Sequence, residues 1–187
     1  MDPDRRPYEH RQWIRTGYSS VSHVYVTSDW HIGHTGVHEK FRTQFVSLLD
    51  HDDYILRRAR QSVTKKDVLI VLGDITWTTA GIHKIKEAEF PCKLIMVGGN
   101  HDTLPVEDYL YVFDEVRGVY AYKRFWLTHM PVHPNELLGR TNVHGHCHRG
   151  GPWETHEEKG YYNAILEFND YAPVDMRHVH KVIQERL

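Results

Sequence analysis

Two stretches of this chain are apolar without a break: "VLIVL" inside "DVLIVLGD" and "LIMV" inside "KLIMVGGN". A strand with one wet face alternates apolar and polar residues, so unbroken runs this short predict strands covered on both faces. "HVYVTSDWHIGH" adds a short β-branched and aromatic run, Val24 to Thr27, that ends in polar residues. Between these runs, "FRTQFVSLLDHDDYILRRARQSV" sets Phe45, Leu48, Leu49, Ile55 and Leu56 at roughly helical spacing among charges. "TTAGIHKIKEAEF" predicts a short helix stopped by Pro91. Further on, "VRGVYAYKRFWLTHMP" is strand-rich up to Pro131, and "TNVHGHCHRG" is a short strand entering a Gly-rich turn. "GYYNAILEFND" alternates well enough for a late strand, and "PVDMRHVHKVIQERL" predicts a closing helix with Pro173 near its start. Buried strands interleaved with helices imply a layered α/β sheet. No internal repeat or low-complexity tract interrupts the pattern.

At 187 residues the chain suits one domain over 1–187, with the polar, Arg-rich stretch 1–22 as an N-terminal arm. A net charge of −2 argues against a wholesale electrostatic grip on nucleic acid, while a local basic patch stays open. No apolar run approaches the ~18 to 20 residues of a membrane span, and the N-terminus lacks the apolar segment of a secretion signal. Cys92 and Cys147 suit a reducing compartment better than a disulfide scaffold, though one bridge stays open, so a cytoplasmic location is expected. Sixteen histidines stand against those two cysteines, so any transition metal would be held by imidazole and oxygen rather than thiolate.

In layered α/β sheets, ligands gather outside the carboxyl ends of strands. The polar residues with chemical potential fall there. Asp29 and His31 follow "VYVTS", Asp74 follows "DVLIVLG", and Asn100, His101 and Asp102 follow "KLIMVGG". His129 follows "RFWLT", and His146 and His148 follow "TNVHG". Asp29 and His31 are two apart, so in an extended segment both face one side, and the same holds for His146 and His148 with Cys147 turned away. Imidazoles with carboxylates suit Mn²⁺, Fe²⁺ or Zn²⁺ better than Ca²⁺ or Mg²⁺. Seven candidate ligands (Asp29, His31, Asp74, Asn100, His129, His146, His148) exceed the ~4 of a tetrahedral ion. They fit two ions sharing a carboxylate, the ~3.5 to 4 Å clamp used for displacement at phosphorus. Each piece alone has a bland reading: a D-x-H triplet is usually a surface turn, and Gly-Asp is a common one. Order and strand-end placement of all five pieces decide for the metal reading.

Taken in order, "SDWHIGH", "LGD", "GGNHD", "LTH" and "VHGHCH" resemble the five motifs of the calcineurin-like metallophosphoesterase family. The resemblance runs from Val24 to Arg149 and is nearest the small, cap-less bacterial and phage members, where a further histidine (here His34) is often present. It implies a four-layer α/β sandwich, two mixed β-sheets flanked by helices, with the metal site at the carboxyl ends of the strands. By the same resemblance Asp29, His31 and His148 would hold one metal, Asp74 would bridge, and Asn100, His129 and His146 would complete the second. Mn²⁺ is the expected ion, with Fe²⁺, Zn²⁺ or Ni²⁺ as alternatives. His101 would act near the leaving oxygen, oriented by Asp102, while a metal-bridging hydroxide attacks phosphorus. Short intervals between motifs leave no room for a capping domain, which points to an open site and to phosphodiesters of small nucleotides or related compounds. A nuclease acting on DNA or RNA, or a phosphomonoesterase, is the alternative, and the arm's Arg5, Arg6, Arg11 and Arg15 are where a nucleic-acid backbone would be met. His34 and Arg149 are candidate phosphate contacts, Trp30 and Trp77 are candidate stacking surfaces or core, and His144 is a candidate support for the ligands. His51-Asp52 looks like the signature of helical phosphohydrolases, but the strong signals lie at strand ends, so that reading is rejected.

Overall fold

A computed structural model describes residues 22–148 and 159–186, so Arg149 and all of the arm but its last residue lie outside the described residues. Three parallel strands, β1 (Val24–Thr27), β2 (Val68–Val71) and β3 (Lys93–Val97), form the middle of one sheet. β4 (Glu115–Arg117) extends it in parallel beside β3. A second sheet holds β5 (Tyr120–Tyr122), β6 (Phe125–Leu127), β7 (Thr141–His144) and β8 (Tyr161–Asn163), with β6, β7 and β8 parallel and β5 antiparallel. The two-residue β9 (Val174–Asp175) returns to pair antiparallel with β1, giving the first sheet the order β4-β3-β2-β1-β9.

Alternation along the buried strands sorts their side chains between two cores. Tyr25, Leu69, Val71, Leu94 and Met96 face outward from the first sheet. There they meet Ile55, Leu56 and Ala59 of α2 (Leu48–Ser62), Ile82 and Ile85 of α3 (Thr79–Glu87) and Tyr109 of α4 (Val106–Leu110). Val26, Ile70, Leu72, Ile95 and Val97 face inward. They pack on Phe125, Leu127, Val143 and Tyr162 of the second sheet and on Met176, Val179 and Ile183 of α5 (Met176–Gln184). Covering both faces is what makes "VLIVL" and "LIMV" continuous. Two mixed sheets flanked by helices result.

Three local expectations are corrected. The stretch expected to be helical from Phe41 onward breaks: α1 (Thr35–Phe41) ends there, and α2 starts only at Leu48, where the Ser47 hydroxyl accepts from the Asp50 amide. The late strand "GYYNAILEFND" stops at Asn163, and Leu166–Phe168 is a 3-10 turn. The Asn169 amide donates to the Asn163 and Ile165 carbonyls there, curling the chain instead of extending it. Pro173 precedes β9 rather than the helix, and α5 is capped by Asp175, whose carboxylate accepts from the Arg177 amide.

Candidate metal centre

Loops leaving β1, β2, β3, β6 and β7 meet at one end of the two sheets. Those after β1 and β2 stay paired beyond the strands, with Asp29, His31 and Ile32 amides donating to the Gly73, Asp74 and Ile75 carbonyls. Strand alternation does not put Asp29 and His31, or His146 and His148, on one side, because neither segment is extended. Asp29, His31, Asp74 and His146 all have left-handed backbone, with φ of 58°, 50°, 51° and 68°. Tight reversals, rather than strand alternation, aim these side chains at the site. The approach is close enough to need glycine: a Cβ on Gly99 would lie 2.3 Å from the Asp74 nitrogen, and one on Gly145 only 2.3 Å from Asp29 Oδ2.

The donors stand in two groups, Asp29 with His31 and His148, and Asp74 with His129 and His146. In the first, His148 Nε2 is 3.3 Å from Asp29 Oδ1 and 3.2 Å from His31 Nε2. Asp29 Oδ2 accepts from the His146 amide and the Ser28 hydroxyl, whereas Oδ1 is buried with no hydrogen-bond partner. In the second, His129 Nδ1–H donates to the Leu72 carbonyl at 2.8 Å, which leaves the Nε2 lone pair facing inward. That lone pair lies 2.9 Å from Asn100 Oδ1, 3.2 Å from His146 Nδ1 and 3.3 Å from Asp74 Oδ1. Asp74 turns its other oxygen toward His31 Nε2 at 3.7 Å, so it faces both groups. Acceptor atoms crowded this way repel unless a proton or a cation sits among them. The residues present fit two divalent ions.

Electrostatics point the same way. Burial alone would raise the Asp29 carboxyl, yet His148 and His31 hold it well below the usual range. Burial opposes a proton on His148, but Asp29 and Glu167 override it and lift the imidazole to about 9. The protein thus holds positive charge against Asp29 where a metal would compete for the place. His31 and His146 are pushed down, chiefly by burial, toward the neutral form a ligand requires.

All seven expected ligands are brought together here. His101 stands at the exposed mouth, its ring 5.5 Å from that of His31. Asp102 departs from its expected role. Its oxygens accept from the backbone amides of Asp74, Ile75 and Gly99, each at 2.8 Å, so it fixes the loops after β2 and β3 rather than the His101 imidazole. His34 lines the cleft against Trp77, with ring centroids 3.9 Å apart, and burial first, then the neighbouring histidines, push it down to about 4. Trp30 is core, stacked on Phe90. His144 is buried in β7, its Nδ1–H donating to the Gly145 carbonyl. His51 and Asp52 lie buried on α2, bonded to Arg42 and Lys84, a packing role that agrees with rejecting a helical hydrolase site. Sequence reasoning missed Glu167, which accepts from His148 Nδ1–H at 3.0 Å, and Arg42 behind it. The one signal for Glu167 was an acidic residue standing inside an apolar stretch.

Comparison with known proteins agrees with the fold. The family model for "Calcineurin-like phosphoesterase" matches residues 22–184, and the chain belongs to that family. An uncharacterised protein of Methanocaldococcus jannaschii is 23% identical over 175 residues, spanning 89% of this chain and 94% of that one. The crystal structure of a protein of unknown function from Aquifex aeolicus superposes with a TM-score of 0.66 at 24% identity, over 87% of this chain and all of the other. A Pseudomonas putida nuclease structure aligns with a TM-score of 0.43 at 20% identity, over 66% of this chain and 60% of that one. No helix of the described residues is long and apolar enough to cross a membrane.

Proposed function

We propose that the protein is a two-metal phosphodiesterase acting on small nucleotides or related diesters. The observation that carries this is the lining of the cleft, a volume of about 230 Å³ beside the donors. Among the described lining residues, Lys40 is the only side chain with a permanent positive charge. A monoester dianion needs more cationic groups around it than a singly charged diester does, since attraction grows with the product of the charges. Phe41 stacks on His148 with ring centroids 5.5 Å apart, and Trp77 tilts against His101 at 5.4 Å. Such flat apolar surfaces suit a nucleobase or another aromatic leaving group.

Two divalent ions in the two donor groups, Mn²⁺ for preference, would lower the pKa of water and offset charge on the phosphoryl oxygens. Asp74 faces both groups and would be the shared carboxylate. His101, exposed beside the donors, would give a proton to the leaving oxygen. Asp102 and the glycines keep the loops close enough for both roles.

Turnover of bis-p-nitrophenyl phosphate and p-nitrophenyl phosphate, with Mn²⁺ and after chelation, tests the reading. Metal-dependent turnover favouring the diester is expected. Activity on neither substrate overturns the enzyme reading, preference for the monoester makes it a phosphomonoesterase, and salt-sensitive degradation of DNA or RNA makes it a nuclease. In the same assay His101→Ala should keep both metals and lose about 10²-fold or more in kcat, whereas Asp74→Asn should lose metal.

A further inference from the structure

Among the described residues, Arg42 is the one lysine or arginine buried completely. A guanidinium has five N–H groups, and here each has a partner. Nε–H donates to Glu167 Oε1 at 2.9 Å, and Nη2 donates to Glu167 Oε2 at 3.2 Å and the Asp29 carbonyl at 2.6 Å. Nη1 donates to the Trp30 carbonyl at 3.0 Å and to His51 Nε2 at 2.9 Å. None of this faces the cleft, and no phosphate-handling motif contains Arg42. Its contacts converge instead on one donor group: the carbonyls of Asp29 and Trp30 lie in the left-handed turn that presents Asp29 and His31. Glu167, gripped by two arms of the same guanidinium, accepts from His148 Nδ1–H. From beneath, His51 Nδ1–H donates to Asp52, which accepts in turn from the Gly33 amide at 3.2 Å. In the other group Asp102 fixes the loops that carry Asp74 and Asn100, but among the described residues no carboxylate is bonded to the far nitrogen of His129 or His146. His129 leans on a carbonyl, while His146 and Asn100 are exposed.

We propose that Arg42 and Glu167 are positioning residues for Asp29, His31 and His148, and that they make this donor group the tighter of two unequal metal sites. The proposal rests on the two-metal reading above. A carboxylate on the far nitrogen of a ligand histidine fixes its tautomer and raises its basicity. The planar fork holds Glu167 and both carbonyls at once, which the single ammonium of lysine does not reproduce. Exposed His146 and Asn100 must lose side-chain freedom on binding, which weakens the second site relative to the first.

The test is calorimetric titration of the metal-stripped full chain with MnCl₂, alongside thermal melting of each metal-free variant. Wild type should show one tight and one weak event. Glu167→Gln keeps an acceptor for His148 but removes the charge facing Arg42. It should weaken the tight event by about tenfold or more, leaving the weak one within about twofold. Arg42→Lys should move the tight event in the same direction, and His146→Ala should weaken only the other. A purely structural role would lower the metal-free melting temperature without narrowing the gap between the two affinities. The proposal is overturned if Glu167→Gln leaves the tight event unchanged or weakens both events equally. Wild type that takes up fewer than two ions defeats the two-metal reading itself, a separate failure visible before any variant is made.

Discussion

Asp29, His31, Asp74 and His146 occupy left-handed backbone at about 1 to 3 kcal/mol each, a strain that persists only where surrounding structure over-determines it. Gly145 shows how tight that surrounding is. A Cβ there would come within 1.9 Å of Ser28 Oγ and 2.3 Å of Asp29 Oδ2, whereas one on Gly118 meets nothing within 4 Å. Gly145→Ala should therefore lower stability by about 1 to 3 kcal/mol and reduce metal uptake, while Gly118→Ala stays within about 0.5 kcal/mol of wild type. Urea unfolding with metal analysis of the purified proteins checks this, and equal behaviour of the two variants would refute the close-packing account. At this scale the donor atoms were legible because carboxylates and imidazoles after buried strands have few structural uses. Their backbone was not legible, since left-handed φ is uncommon outside glycine even at Asp and His, which adopt it more often than other residues. Arg42 and Glu167 were hidden for a different reason: a lone charged residue reads as surface, and only contacts 125 positions apart in the chain reveal the pair.

Among elements, the buried strands and α3 were readable and the two shortest helices were not. α1 buries only Val37 and α4 only Tyr109, so neither carries a periodic apolar stripe to be found. Helix α5 was readable from its apolar face, yet its start was not, because Val174 and Asp175 pair with β1 before the helix begins. Asp175 gives this junction a measurable pH signature. Burial would raise its carboxyl, but the Arg177 guanidinium and amide, with His23, override that and hold it at about 2. The folded value lies below the ~3.9 of an unfolded aspartate, so its stabilisation is full above about pH 4 and is lost as pH falls toward 2. Asp175→Asn, which keeps a capping oxygen but no charge, should be less stable than wild type at pH 6 and converge with it near pH 2. Asp175→Ala should lose about a further 1 kcal/mol at pH 6 by removing the cap. Urea midpoints across that range decide the matter, and a gap independent of pH would show that the charge contributes nothing.

Across the molecule, the donors come from both sheets: Asp29, His31, Asp74 and Asn100 from one, His129, His146 and His148 from the other. Ions held in the two candidate groups would therefore staple the two layers as well as equip the cleft. At free Mn²⁺ about 100-fold above Kd the folded state should gain about 2.7 kcal/mol. For a chain of this size that is a rise of roughly 5 to 10 °C in Tm, reversed by chelation. Differential scanning calorimetry with and without EDTA measures it, and no shift would mean that the donors hold no ion in the folded state. The α/β class was legible from the alternation of apolar runs and helices, whereas the division into two sheets was not, because pairing partners depend on contacts distant in sequence. The pairing of β1 with β9 is the extreme case, since Tyr25 waits for Asp175, about 150 residues later. At a synthesis rate of roughly 5 to 20 residues per second, β1 leaves the ribosome some 8 to 30 seconds before that partner exists. For that interval one side of an apolar strand stands open to any other nascent chain, so the risk of misassembly is concentrated in the time of translation, before the finished protein exists.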